Sequence, residues 1–380
     1  MTSVPGPESI DDLLARVHVV ALPMRVRFRG ITERELVLID GPAGWGEFGP
    51  FGEYHDPEAA HWLASAVEMA WQGPPPPVRS RVAVNATVPA VPAGEVAAIL
   101  DRFPGCMTVK VKVAEKGQQL VDDVARVAAV LQARPGARVR VDANGAWSVA
   151  EAAHAVRVLD QAVRAADVSR TGPVSLDGPG LEYVEQPCAT VDELVELRER
   201  LVADGVHVDV AADESIRRAE DPLRVVRAGG ADRAVVKVAP LGGPRRLLAV
   251  AAELGVPVTV SSALDSAVGV AAGVAAAAAL PGVGALPAAA ALPGVGARGG
   301  SGAAGARAAS RGDDDIPAAG LGTGGFFVED VVDPGVFALE DGHLPVRQVA
   351  PDPARLEDLR IGGERRDWWL DRIRRCHAIL

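Results

Sequence analysis

Residues 109–113 read Val-Lys-Val-Lys-Val, a β-branched run interrupted twice by charge. Successive side chains of a strand point to opposite faces, so Lys110 and Lys112 share one face and the three valines share the other. The valine face suits burial under helices, whereas the lysine face suits a polar interior. This pattern predicts a strand of a barrel whose outside is covered by helices and whose inside leads to a site.

Seven runs of this kind alternate with segments of helical period between residues 80 and 270. They are 81–88, 107–115, 138–147, 181–187, 208–215, 233–243 and 257–266. Strands that alternate with helices form right-handed βαβ units and a parallel sheet. With an eighth strand at residues 315–323, the set predicts an α/β fold of the (β/α)8 barrel type, since a doubly wound sheet usually has about five or six strands.

The flanking segments lack this alternation. Residues 1–79 contain two strand patterns, a Gly-rich turn and one helix, and they predict a small α+β capping domain. The barrel is expected to span residues 80–325, and residues 326–380 are expected to pack back on the cap. Within the barrel, residues 280–312 are of low complexity, with Leu-Pro-Gly-Val-Gly-Ala at 280–285 and again at 292–297, and they predict an insertion.

Composition excludes several classes of protein. The formal net charge of −11 disfavours nucleic acid and anionic membrane surfaces as partners. The three cysteines are far apart and include no CxxC pair, so neither a disulfide framework nor a structural zinc site is expected. The acidic N-terminus does not resemble a signal peptide, which favours a cytoplasmic location. Residues 267–297 are uncharged but rich in Ala, Gly and Pro, and they predict a helix with a loop rather than a membrane span.

Charged residues near the ends of five successive predicted strands indicate a site. In chain order they are Lys112, Asp142, Glu185, Asp213 and Lys237, and all are expected to point inward at the carboxyl ends of the strands. Three carboxylates that converge in one barrel mouth repel each other unless a cation lies among them. Oxygen ligands without His or Cys favour Mg²⁺ as that cation.

A metal flanked by two lysines suits removal of a proton α to a carboxylate. The metal stabilises the resulting enediolate, and a lysine close to another cation can act as the base near neutral pH. Lys110 is placed to exert that influence on Lys112. We therefore expect an enzyme that acts on a small carboxylate.

These charged residues and the segments around them resemble those of the enolase superfamily, specifically its muconate lactonizing enzyme branch. The similar segments are VKVKVAE, VDANGAW, VEQP, AADES and VVKVAPLGG. Within the branch, RFRGITERE, GPAGWGEFGPF and SSALDSAVG look like the o-succinylbenzoate synthases of the actinobacterial type. This resemblance implies a modified (β/α)7β barrel with an N-terminal cap, and a lyase of menaquinone biosynthesis.

The resemblance also implies roles for individual residues. Asp142, Glu185 and Asp213 would bind Mg²⁺, Lys112 would be the acid and base, and Lys237 would stabilise the charge of the intermediate. The implied reaction is the syn dehydration of 2-succinyl-6-hydroxy-2,4-cyclohexadiene-1-carboxylate.

Further residues receive supporting roles from the same resemblance. Asn144 and Glu214 would orient ligands or a lysine. Ser262 and Leu264, after the seventh strand, would contact the succinyl tail of the substrate. Cap residues 46–51 would close the site.

Other functions stay open at this stage. N-succinylamino acid racemase activity also needs a lysine on each side of the α-carbon, a Schiff-base aldolase could use Lys237, and the insertion could leave a non-catalytic barrel.

Gly320, Gly322 and Gly325 match GxGxxG but do not open a helix of a βαβ unit, so they predict a loop above the eighth strand. The oligomeric state, monomer or homo-oligomer, stays open as well.

Overall fold

The structure is a computed structural model that describes residues 5–28, 30–168, 180–218, 221–282 and 316–380. Nearly all of the predicted insertion at 280–312 lies outside these ranges. The strands are β1 (Val17–Phe28), β2 (Ile31–Gly41), β3 (Gly44–Phe48), β4 (Arg81–Ala83), β5 (Ala86–Val88), β6 (Thr108–Lys112), β7 (Arg138–Asp142), β8 (Tyr183–Glu185), β9 (Asp209–Ala212), β10 (Arg233–Lys237), β11 (Val258–Ser261) and β12 (His343–Pro345).

The helices are α1 (Ile10–Leu14), α2 (Asp56–Gln72), α3 (Val96–Leu100), α4 (Leu120–Ala133), α5 (Val149–Val168), α6 (Val191–Ala203), α7 (Glu214–Arg217), α8 (Arg224–Arg227), α9 (Val238–Leu241), α10 (Pro244–Leu254), α11 (Ala267–Ala279), α12 (Pro353–Asp358) and α13 (Gly363–His377). None of the helices in the described ranges is both long enough and apolar enough to span a membrane.

The cap is an antiparallel sheet of three strands in the order β1-β2-β3, with α2 packed on it. Residues 36–39 of β2 are fully buried between neighbouring strands and helices. Gly46 permits the close approach of α2, because a Cβ at this position would lie 2.0 Å from the carbonyl oxygen of Ala66. The predicted α+β character of this part of the chain is therefore present in the structure.

The barrel has seven parallel strands in the order β5-β6-β7-β8-β9-β10-β11. Ala319 and Gly320 close the ring as an eighth position, since Ala319 bridges to Val84 and Gly320 to Ser261. The (β/α)8-type barrel predicted from the alternation is confirmed.

Two strands differ from their predicted lengths. The run 81–88 divides, because β4 pairs antiparallel with β12 and only β5 joins the barrel. The eighth strand, predicted at 315–323, is reduced to a pair of bridging residues followed by a 3-10 turn at Gly322–Phe326. Glycine weakens strands because it has no side chain to pack, and it permits the tight turn that follows.

Local sequence signals account for several helix ends. Thr190 caps α6, as predicted: its Oγ1 accepts from the backbone N–H of Glu193 at 3.3 Å, and its own N–H donates to Oε2 of Glu193 at 2.9 Å. These two bonds form a capping box, which satisfies N–H groups that have no partner within the helix. The capping box therefore fixes where α6 begins, a few residues after the end of β8.

The last helix, α13, packs on the cap. Trp369 donates from its indole N–H to Oε2 of Glu35 at 2.9 Å, and its ring meets that of Phe48 edge-on at 5.8 Å. Arg372 donates to the backbone carbonyls of Phe51 at 3.1 Å and of Tyr54 at 2.6 Å. The C-terminal segment thus supports the cap loop that faces the barrel mouth.

Candidate active site

The barrel strands bring the predicted charged residues to one edge. Strand β6 ends at Lys112, which is the register partner of Asp142 at the end of β7, and Asp142 is in turn the partner of Glu185 at the end of β8. Asp213 follows β9 directly, and Lys237 ends β10. Because parallel strands share one carboxyl-terminal edge, these five side chains occupy the mouth of the barrel.

The inward face predicted from strand parity is confirmed. Tyr183, Ala211 and Val235 form a buried cluster of their own, separate from the main core. Arg140 lies in the same interior, with its guanidinium carbon 4.8 Å from the centre of the Tyr183 ring. This layer forms the floor beneath the charged strand ends.

Lysine is rare in this chain, which makes its placement informative. The sequence contains four lysines in all. Three of them, Lys110, Lys112 and Lys237, form ion pairs with the carboxylates of the barrel mouth. A count of lysines would have strengthened the sequence prediction.

Lys110 forms ion pairs with two of the buried carboxylates. Its Nζ lies 2.9 Å from Oε1 of Glu185 and 3.1 Å from Oδ2 of Asp142. Burial lowers the pKa of Lys110, but the charges of Glu185 and Asp142 outweigh burial and hold it well above its ordinary value. Burial, followed by the charge of Asp142, raises the pKa of Glu185 to about 7.

Lys112 lies nearer the mouth. Its Nζ donates to Oδ2 of Asp142 and to Oδ1 of Asn144, each at 2.6 Å. Burial alone would raise the pKa of Asp142, but Lys112 and Lys110 hold it well below its ordinary value. Asn144 adopts φ of +48°, a left-handed conformation that Asn tolerates, and its side-chain amide donates to Oε1 of Glu214 at 3.2 Å.

Lys237 is held on the opposite side of the mouth. Its Nζ donates to Oδ2 of Asp213 at 2.6 Å. Burial lowers the pKa of Lys237 below its ordinary value, because the attraction of Asp213 does not fully offset it. In the ring of eight positions, β10 is four positions from β6, so Lys237 and Lys112 approach the centre from opposite sides.

Arg217 and Tyr54 complete this side of the mouth, and sequence reasoning missed both. Arg217 donates from Nε to Oδ1 of Asp213 at 3.0 Å and from Nη2 to Oε1 of Glu214 at 2.6 Å. Its Nη1 also donates to the hydroxyl of Tyr54, which belongs to the cap. Arg217 is four residues after Asp213, a helical spacing that could have pointed to the pair.

A cleft of about 50 Å³ lies between the lysines. Ser262 and Leu264, both predicted to contact substrate, line it together with Thr87 and Thr323. The hydroxyl of Ser262 lies 2.8 Å from that of Thr323. In the described part of the chain, the cap stretch 46–51 contributes no lining residue to this cleft.

The first residues of that cap stretch face α11 instead. Gly46 and Glu47 line a separate cavity of about 10 Å³, next to the start of α11. The expectation that residues 46–51 close directly over the site therefore differs from the observed packing. Glu47 accepts hydrogen bonds from the start of α11, whereas the carbonyl of Phe51 is held by Arg372 of the last helix.

A larger cavity, about 720 Å³, lies beside the 3-10 turn at Gly322–Phe326. It contains none of the charged strand ends, so we assign the chemistry to the smaller cleft. Gly320, which belongs to the GxGxxG match, lies in the bridge that closes the barrel, and Gly322 lies in the turn. The prediction of a loop above the eighth strand is confirmed.

The carboxylates fit a hard cation in their chemistry. Asp142, Glu185 and Asp213 are each 1% exposed, and all their donor atoms are oxygens. The raised pKa of Glu185 reflects burial and the repulsion of Asp142, which a cation would relieve. In the arrangement observed, lysine ammonium groups balance this charge, and the described residues include no group of three or more His, Cys, Asp or Glu already spaced around a metal position.

Comparison with known proteins supports the architecture. The model for enolase N-terminal domain-like proteins matches residues 19–70, and the model for enolase C-terminal domain-like proteins matches residues 95–291. The muconate lactonizing enzyme of Pseudomonas fluorescens, solved in complex with muconolactone, superposes with a TM-score of 0.64 at 21% identity, covering 91% of this chain and 98% of that one. The muconate lactonizing enzyme of Pseudomonas putida gives the same TM-score at 18% identity, covering 91% of this chain and 98% of that one. At this level of identity the likeness concerns the fold alone.

Relatives of higher identity span the whole chain. The o-succinylbenzoate synthase of Mycobacterium marinum is 53% identical over 377 residues, which cover 99% of this chain and 98% of that protein. The o-succinylbenzoate synthase of Mycolicibacterium smegmatis is 53% identical over 375 residues, which cover 99% of each chain. This chain therefore belongs to the o-succinylbenzoate synthase family of the enolase superfamily.

Proposed function

We infer that the protein is an o-succinylbenzoate synthase. It is a lyase that dehydrates 2-succinyl-6-hydroxy-2,4-cyclohexadiene-1-carboxylate to o-succinylbenzoate in menaquinone biosynthesis. The observation that carries this conclusion is the 53% identity, over 99% of the chain, to proteins of that name. The paired lysines on opposite sides of a buried carboxylate cluster give the conclusion a chemical basis.

We propose Lys112 as the acid and base. Its ammonium group is held by Asp142 and Asn144 at 2.6 Å each, so the position of Nζ is fixed by two short hydrogen bonds. In its neutral form Lys112 removes the proton α to the substrate carboxylate. The same Nζ then donates that proton to the departing hydroxyl, which is why a syn elimination needs only one such group.

Lys237 would serve as a cation opposite Lys112. Its pKa is lowered by burial, and its bond to Asp213 fixes its direction. A buried ammonium group that is already in position before the reaction stabilises negative charge as it develops on the substrate, because the surrounding groups do not have to reorganise. Aromatisation of the ring supplies the driving force of the dehydration.

We propose Asp142, Glu185 and Asp213 as the residues that hold Mg²⁺. When bound, Mg²⁺ would supply Lewis-acid stabilisation of charge on the substrate carboxylate. Asn144 and Glu214 would orient this set, since Asn144 bonds to Lys112 and its amide reaches Glu214. Oε2 of Glu214 is buried and has no hydrogen-bond partner among the described residues, so this carboxylate has acceptor capacity left for a ligand.

Racemisation of N-succinylamino acids is the second candidate activity. The observation that favours it is the placement of Lys112 and Lys237 four strand positions apart, because proton removal on one side and return on the other needs such a pair. The two activities could share one site. They differ in whether a hydroxyl leaves.

The test is to offer both substrates to the same preparation. The cyclohexadiene carboxylate is followed by its ultraviolet spectrum, and N-succinyl amino acids are followed by α-deuterium incorporation in D₂O. We expect rapid formation of o-succinylbenzoate, with a higher kcat/KM than for any exchange. Folded protein that exchanges the α-proton but forms no o-succinylbenzoate would replace the synthase with the racemase.

A further inference from the structure

Arg34, on strand β2 of the cap, is buried at the boundary with the barrel. It is 2% exposed, and its guanidinium carbon lies 4.1 Å from the centre of the Phe51 ring. Nε donates to the backbone carbonyl of Leu264 at 3.1 Å and Nη1 to that of Glu35 at 3.3 Å, while Nη2 donates to that of Gly49. Two of these acceptors belong to the cap, and the third belongs to the wall of the catalytic cleft.

The acceptor in the barrel has an unusual backbone. Leu264 adopts φ of +63°, a left-handed conformation that is uncommon for a residue with a branched side chain. It is 2% exposed and lines the cleft that also contains Lys112 and Lys237. Such a conformation persists only where surrounding groups enforce it. The bond from Arg34 acts on the peptide group of Leu264 itself.

We propose that Arg34 is a positioning residue that shapes the substrate pocket by holding Leu264 in this conformation. The proposal rests on the proposed function, because it takes the succinyl-bearing carboxylate as the molecule that the cleft binds. Arg34 itself does not line the cleft, so it acts through Leu264. The cap would thereby determine the shape of a pocket wall that the barrel supplies.

A purely electrostatic role is the alternative. The charge of Arg34 lowers the pKa of Glu47 and of Asp265, although burial keeps both above their ordinary values. Lysine would preserve this charge but not the planar fork that donates to three carbonyls at once. The substitution Arg34→Lys therefore separates the two roles.

The experiment compares Arg34→Met and Arg34→Lys in two backgrounds, wild type and Leu264→Gly. Glycine adopts positive φ without strain, so the conformation no longer needs Arg34. We measure the Kd of o-succinylbenzoate by calorimetry and the KM and kcat of the dehydration. In the wild-type background, both substitutions are expected to raise Kd and KM about tenfold, because neither keeps the planar fork that donates to the carbonyl of Leu264, with kcat changed less than about threefold.

In the Leu264→Gly background, the same substitutions are expected to change Kd less than about twofold, since coupled positions show non-additive effects. Arg16→Met, at a half-exposed arginine of the cap, is the matched control and should leave Kd unchanged. Equal losses in both backgrounds would overturn the proposal. So would wild-type binding by Arg34→Lys, which would leave only the electrostatic role.

A second variant covers the case in which one substitution prevents folding. If Arg34→Met is recovered unfolded, Arg34→Lys retains the buried charge and carries the same comparison. Wild-type protein that binds o-succinylbenzoate but forms none would remove the proposed function and leave the binding test of Arg34 intact. Wild-type protein that does not bind o-succinylbenzoate would overturn the positioning role as well.

Discussion

Two buried groups of acidic side chains in this molecule have the same residue types and different electrostatic surroundings. The mouth cluster consists of Asp142, Glu185 and Asp213 at the ends of barrel strands. The interface cluster consists of Glu47, Asp265 and Asp330 around the start of α11, where the cap meets the barrel. All six carboxylates are buried or nearly so, so the difference between the clusters comes from their partners.

The mouth cluster faces several cations. Burial raises the pKa of Asp142 and of Asp213, but lysine and arginine partners reverse this, and both pKa values lie below their ordinary range. Glu185 is the exception, with a pKa raised to about 7. Carboxylates held ionised in a buried site are available to bind a cation.

The interface cluster faces Arg34 and backbone N–H groups. Burial and the charge of Asp265 raise the pKa of Glu47 to about 8, and burial raises the pKa of Asp330 to about 6. Glu47 accepts from the N–H groups of Ser266 at 3.0 Å and Gly269 at 3.2 Å, so it caps α11. The carboxylates of this cluster have raised pKa values and fasten two parts of the fold, whereas two of the three carboxylates of the mouth cluster have lowered pKa values.

The largest expected effect concerns Lys112. We expect Lys112→Ala to lower kcat for dehydration about 10⁴-fold, because it removes both the base and the proton donor. The ultraviolet assay measures this directly. Lys116→Ala, at the exposed lysine just after the same strand, is the control and should retain full activity. Substantial turnover by Lys112→Ala would assign the proton transfer elsewhere.

A smaller loss is expected at the opposite lysine. Lys237→Ala should lower kcat by about 10² to 10³, the range typical of removing one charge-stabilising donor. Single-turnover rates would separate this effect from product release. A loss as large as that of Lys112→Ala would mean that the two lysines share the proton transfer.

The third prediction concerns cation binding by the mouth cluster. Asp213→Asn should weaken Mg²⁺ binding more than about 100-fold. Removing a residue that only hydrogen-bonds to a metal ligand typically lowers metal affinity about 10- to 100-fold, and removing a ligand itself should lower it further. Calorimetric titration of metal-free protein with Mg²⁺ tests this without reference to activity. Asp209→Asn, on the same strand β9 but paired with Arg233 at 2.7 Å, is the matched control. Equal Mg²⁺ affinities of the two variants would exclude Asp213 as a ligand.

The smallest expected effect concerns the interface cluster. The folded protein keeps the proton of Glu47 up to about pH 8, whereas the unfolded chain releases it near its ordinary value of 4.5. Across that interval the folded state binds more protons, so its stability falls as pH rises. Glu47→Gln should flatten the dependence of Tm on pH by about 3 °C or more between pH 5 and 8.

Glu33→Gln, an exposed carboxylate of the same sheet, controls for the loss of charge alone. Its pH dependence should match that of the wild type. A Glu47→Gln variant with the wild-type slope would show that Glu47 is already ionised in the folded protein.

The mouth cluster was predictable and the interface cluster was not. A charged residue in an apolar strand stands out within its own segment, and period-two parity fixes the face to which it points. Thus Lys112 and Asp142 could be assigned to the barrel interior from local sequence. The (β/α)8 alternation was visible for the same reason.

The missed contacts join segments that are distant in the sequence. Arg34 and Glu47 of the cap form hydrogen bonds with residues 264–269 of the barrel, and neither local sequence contains a pattern that predicts this contact. Tyr54 likewise reaches Arg217 from the cap. Such pairs form only after the cap docks, so periodicity cannot reveal them. The short length of the closing strand at 319–320 could not be predicted either, because neighbouring strands rather than its own glycine-rich sequence hold it in place.

The central claim is that the mouth cluster binds the cation on which dehydration by Lys112 depends. The most direct test measures the rate of o-succinylbenzoate formation by EDTA-treated wild-type protein as Mg²⁺ is returned. We predict no turnover without Mg²⁺ and a saturable return to the full rate. Undiminished turnover in excess EDTA would contradict the account.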